Sequence, residues 1–226
     1  MSAAMINTLD DYIPRSVPRG APFQTNPNLE SKVDPAGRIL PFRGNTTVFL
    51  LDEATKEQLQ AVQDSLYRAA PEMLAEPLEP DTFHMTLHDL ANGRPGQWGL
   101  EEHMKYTAEN ASALLAQWKQ EKPLRMKATW LFNMVNTSIV LGLAPADEDS
   151  RQRLGEMYTA LEEVVRLGYA LTPHITMAYF RPGWYGPEQV ERLADALRPV
   201  ELEVTLTADK LVLQEFDDMN HYRTVQ

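Results

Sequence analysis

A duplicated α+β fold is predicted by three observations in this chain of 226 residues. The run His84-Met85-Thr86-Leu87 returns about 90 residues later as His174-Ile175-Thr176-Met177. Both runs read His, apolar, Thr, apolar, the alternation of a half-buried strand. The order strand, helix, His strand, loop, helix occurs twice along the chain, which marks an internal duplication.

Each element has its own signal. Residues 1–44 carry Pro14, Pro18, Pro22, Pro27, Pro35 and Pro41 with little apolar periodicity, and read as an extended arm that wraps the surface or closes over a site. Residues 45–226 then form a single bilobal domain. Residues 46–51, Thr-Thr-Val-Phe-Leu-Leu, are the first core strand. Asp52 caps a helix over 53–70, where Leu59, Val62, Leu66 and Ala70 give the helical period. Pro71, Pro77 and Pro80 break the chain before the strand of His84, and residues 91–99 are a loop. A helix over 100–120 follows, with Leu114, Leu115 and Trp118 on its apolar side.

Strands over 124–132 and 137–143 are joined through residues 133–136 as a hairpin. Asp147 opens an amphipathic helix that runs to a C-cap at Gly168. After the strand of His174, residues 181–186 form a loop and Pro187 starts a short helix to Leu197. Residues 200–214 and 222–225 read as a closing strand pair around a turn at 217–220.

Composition narrows the function classes. No cysteine is present, which excludes disulfides and cysteine metal sites and fits a reducing, cytoplasmic setting. The first residues lack the basic start and apolar run of a signal peptide, and no segment reaches the roughly 20 apolar residues of a membrane span. With a net charge of −11 the chain repels a long phosphate backbone, so a small anionic substrate is expected and long nucleic acid is not.

The duplicated motif carries the chemistry. On a strand, His and Thr two residues apart share a face. Two such strands place two imidazoles and two hydroxyls around one space. Paired histidines suit phosphoryl transfer without a metal: one neutral imidazole takes a proton from the attacking hydroxyl or water, and one imidazolium protonates the leaving oxygen. The hydroxyls of Thr86 and Thr176 donate hydrogen bonds to the non-bridging phosphate oxygens. No cofactor is implied, since the glycine loops of nucleotide and dinucleotide sites are absent. A zinc site on His84, His88 and His103 is the metal alternative; on a strand, however, His84 and His88 stand about 13 Å apart. A nucleotide-binding module that keeps the cleft without catalysis is a further alternative.

Phe83-His84-Met85-Thr86-Leu87 and Pro173-His174-Ile175-Thr176-Met177-Ala178-Tyr179 together resemble the two signatures of the two-histidine phosphoesterases, the LigT-like superfamily. The resemblance spans roughly residues 45–226. It implies a bilobal fold with two antiparallel sheets lining a central cleft and helices outside. It also implies metal-independent hydrolysis of a cyclic phosphate or phosphodiester in a nucleotide or RNA end, with His84 as acid and His174 as base. Tyr179 stands where many members carry arginine, and the proline-rich arm is extra. Around the motifs, His88 shares the expected face of His84 and Thr86 and either lines the cleft or hydrogen-bonds at the strand end. Tyr222 resembles a family tyrosine near the substrate or is a core aromatic, and both are, with Tyr179, candidate substrate contacts. Trp98, Trp184 and Tyr185 sit on loops expected to flank the cleft, where they either stack on a base or pack the loops, and Arg94 and Arg181 either neutralise phosphate or are solvated surface residues.

Overall fold

The computed structural model describes residues 6–7 and 17–225. The first residues of the predicted arm therefore lie largely outside the described part. The arm's described residues are ordered against the domain. Within them, β1 (Phe23–Gln24) carries the buried Phe23, and Leu29 and Val33 enter the core.

From there β2 (Arg43–Leu50) leads into α1 (Glu53–Ala69), and Asp52 caps that helix by accepting the Thr55 N–H at 2.7 Å. Next come β3 (His84–Gly93), α2 (Leu100–Gln117), β4 (Leu124–Met134) and β5 (Ser138–Pro145). β3 runs through residues 91–93, which the sequence reading gave to a loop. The hairpin between β4 and β5 has three residues between the paired Met134 and Ser138, the first two of them left-handed, Val135 at φ 45° and Asn136 at φ 63°. Then follow α3 (Glu148–Glu162), β6 (His174–Tyr179), β7 (Trp184–Tyr185), α4 (Pro187–Ala196), β8 (Glu203–Leu206), β9 (Leu211–Asp218) and β10 (His221–Thr224).

Two expectations change here. Gly168 does take a left-handed φ of 76°, but α3 ends earlier, with Glu163 as its C-cap. The Glu162 carboxylate ends the turn instead, by accepting the N–H groups of Leu167 and Gly168. Residues 200–214 are not one strand either. β8 pairs with β4 and β9 with β2, and a short turn at Ala208–Lys210 carries the chain between them.

The main sheet is antiparallel and ordered β10-β9-β2-β3-β6-β5-β4-β8; β1 and β7 pair separately. Its halves meet at β3 and β6 through one residue pair, Met85 opposite Ile175. On either side of that seam stands a four-strand half with its own His strand innermost. α1 packs on β6 and α4, α2 packs on β2, β3 and β9 of the first half, and α3 packs on strands of both halves. This is an α+β fold of antiparallel strands and packed helices, as the sequence predicts.

Candidate active site

The seam puts the two motifs side by side. With Met85 facing Ile175, the antiparallel register sets His84 across from Thr176 and Thr86 across from His174. Met85 and Ile175 are fully buried, and the four His and Thr side chains, half-buried, point to the other face. All four line a cleft of about 560 Å³.

The strands then depart from plain alternation, and both do so at the same place. Against β2, β3 carries one extra residue between Thr86 and His88, and against β5, β6 carries one between Thr176 and Ala178. These are β-bulges at Leu87 and Met177, three residues after each histidine. A bulge shifts the side-chain parity by one. The third residue on the cleft face is therefore Asp89 in β3 and Tyr179 in β6, each five after its histidine.

His88 is displaced by the same bulge, which corrects its expected place beside His84. Its side chain is fully buried although it backs the cleft wall. Its Nε2 lies 3.1 Å from Glu162 Oε1 and its ring 5.0 Å from that of Tyr158. Burial on its own would raise the Glu162 carboxyl, but the N–H groups of Leu167 and Gly168 together with the His88 ring hold it below the usual range.

Both catalytic candidates are fixed from behind. Nδ1 of His174 is 2.6 Å from the Thr172 carbonyl oxygen, and His84 makes the corresponding backbone bond to Thr82. A carbonyl only accepts, so on His174 Nδ1–H donates and Nε2 is left for the substrate. The motif is thus Thr-x-His-x-Thr in both copies, Thr82-Phe83-His84-Met85-Thr86 and Thr172-Pro173-His174-Ile175-Thr176. That longer repeat is visible in the sequence and was missed there.

Burial pushes His84 down to about 4, against the pull of the Thr82 carbonyl; His174 lowers it further and Asp89 raises it. His174 is also lowered by burial, opposed by the Thr172 carbonyl and Asp89. Tyr222 closes one side with its ring 5.1 Å from that of His84, and burial pushes its phenol well up. Tyr179 donates to Met219 Sδ at 3.1 Å in the same wall.

Other expected contributors lie elsewhere. Arg181 donates from Nε to the Pro35 carbonyl and holds the arm. Trp184 pairs with Gln24 at the arm's strand and is 64% exposed, and Tyr185 is buried beside Phe23. Neither these residues nor Arg94 and Trp98 line the cleft. The proposed zinc triad is not assembled, because His103 is on α2 away from the cleft and His88 is turned to Glu162. Among the described residues no group of three His, Asp or Glu side chains is arranged to hold a metal, and no helix is long and apolar enough to cross a membrane.

Solved structures share this architecture. A conserved protein of unknown function from Agrobacterium tumefaciens, ATU0111, superposes with a TM-score of 0.62 at 18% identity, covering 90% of this chain and 93% of that one. E. coli LigT complexed with 3′-AMP superposes at 0.53 and 13% identity, over 82% of this chain and 96% of that one. The chain has the LigT fold. A structure described as a phosphoesterase agrees at 0.51 and 15% identity, covering 82% and 95%. No family model matches the sequence, and no curated protein does. The likeness to LigT is thus one of backbone, and the chemistry rests on the side chains above.

Proposed function

We propose that the protein is a metal-independent phosphodiesterase of the two-histidine type, acting on a cyclic phosphate or phosphodiester of a small nucleotide or an RNA end. The observation that carries this is the seam: two imidazoles, each bonded to a threonine backbone two residues back, and two threonine hydroxyls on one face. The LigT fold supports the reading, and the 3′-AMP held by E. coli LigT is in keeping with a nucleotide substrate. The chain's charge of −11 favours a small substrate over a long strand.

In the reaction, water attacks phosphorus as the base imidazole takes its proton. The bond to the leaving oxygen breaks, and the acid imidazole protonates that oxygen, leaving a phosphomonoester and a free hydroxyl. Thr86 and Thr176 donate to the non-bridging oxygens as charge gathers there.

The cleft's polarity supports a role order opposite to the one the resemblance implies. The register sets Asp89 beyond the His174 end of the seam, where its carboxylate opposes the burial that lowers that ring. His84, packed against Tyr222, is strongly depressed and neutral near pH 7. His84 is then the base and His174 the acid.

The test is hydrolysis of a panel of cyclic and linear nucleotide diesters in EDTA, with His84→Ala and His174→Ala alongside. Turnover in chelator that is lost in both variants is the expected outcome. Retained turnover in both variants overturns the proposal.

A further inference from the structure

The two motifs leave the cleft without a fixed positive charge. The equivalent third positions, which the bulges turn onto the cleft face, hold an acid and a phenol, Asp89 and Tyr179. Among the described residues lining the cleft, one side chain is a lysine or arginine: Lys32, from the arm.

Lys32 is well placed for that role. Its N–H donates to the Leu29 carbonyl and its own carbonyl accepts from Leu40, so the backbone is tied on both sides. Its ammonium sits 5.0 Å from the Phe42 ring centre and 5.7 Å from that of Tyr179. Among the described residues it has no carboxylate within ion-pairing distance. An ammonium held by rings keeps its donors for a ligand. Met219, against which Tyr179 donates, also touches the Tyr222 hydroxyl, and the Tyr222 ring lies against His84. Lys32 therefore belongs to the His84 end of the seam, opposite Asp89.

We propose that Lys32 anchors the substrate's phosphate, so that the arm completes the cleft by supplying the cation its motifs lack. Tyr179 is the platform that aims it. This rests on the phosphodiesterase reading. It predicts a phosphate seated toward His84 and Thr176, and a preference for a substrate with a single phosphate group, since among the described residues one fixed cation faces it.

The experiment compares the full chain with Lys32→Gln and Lys32→Arg. It reads inorganic phosphate affinity by calorimetry, KM and kcat on the best diester of the panel, and the melting midpoint. Loss of a charge-assisted contact should weaken phosphate binding about 10-fold or more in Lys32→Gln. KM should rise by a similar factor with kcat less affected, and Lys32→Arg should restore most of both. Unchanged phosphate affinity and KM in Lys32→Gln overturn the anchor while leaving the phosphodiesterase reading intact. Equal losses in both variants with a lowered melting midpoint mark a structural lysine and also overturn it. A wild-type chain that neither binds phosphate nor turns over a diester removes the phosphodiesterase reading and the anchor with it.

Discussion

The two halves of the sheet agree closely near their histidines and diverge a few residues away. Both have a threonine carbonyl behind the ring, a threonine hydroxyl in front and a bulge three residues on. Beyond the bulge the first copy presents Asp89 and the second Tyr179. The partner strand differs too. β5 is joined to β4 by a tight hairpin whose Met134 and Val135 line the cleft, whereas the matching partner of β2 is β9, from the far end of the chain. The lesson is that symmetry positions the two imidazoles, and asymmetry gives them different surroundings.

Breaking the shared part should cost most. His84→Ala and His174→Ala should each lower the rate on a diester with a poor leaving group by about 10²–10⁴-fold. A p-nitrophenyl diester needs no proton on its leaving oxygen, so it should rescue His174→Ala and not His84→Ala. Rescue of His84→Ala alone would restore the role order of the family resemblance. Next come the hydroxyls. Thr86→Val and Thr176→Val should each cost about 10²-fold in kcat, with KM less affected. Unequal losses would show that the phosphate does not sit astride the seam.

The unshared part should show in pH behaviour. Asp89 raises both imidazoles, so Asp89→Asn should move the acidic limb of the rate profile to lower pH. For stability the sign follows from proton counting. His84 is held at about 4 when folded against about 6.5 unfolded, so the unfolded chain binds more protons between those values. Stability is full above about 6.5 and falls as pH drops toward 4. Denaturant titrations at pH 7 and pH 5 should show this fall flattened in His84→Asn. The smallest effect is at the hairpin, where Val135 is a β-branched residue at φ 45° and 64% exposed. Val135→Gly should stabilise the fold by about 1 kcal/mol, read as a raised denaturation midpoint.

What the sequence disclosed depended on how local its physics was. The His-x-Thr pairs, the caps at Asp52 and Asp147, the hairpin at 133–136 and Pro187 at a helix start were legible because each is set by a few adjacent residues. His88 was misplaced because strict alternation was assumed through a bulge. A hint existed, since Met177-Ala178 breaks the apolar alternation at the same offset as Leu87-His88. The split of residues 200–214 between β8 and β9 was hidden because strand partners are chosen across the sheet. Lys32 was out of reach for the same reason: nothing near it in the chain says that it comes to rest over Tyr179.

The pairing of β2 with β9 also governs when the cleft can come into being. β2 is made early and its outer neighbour late, with the whole second half synthesised between them. Such distant pairing is slow to close and leaves β2 with an unpaired edge until residue 211 has emerged. The second half, whose strands β4, β5, β6 and β8 follow in sequence, can assemble first and offer β6 as a template for β3. In a nascent chain the second half of the sheet can thus be paired before β2 gains its outer neighbour.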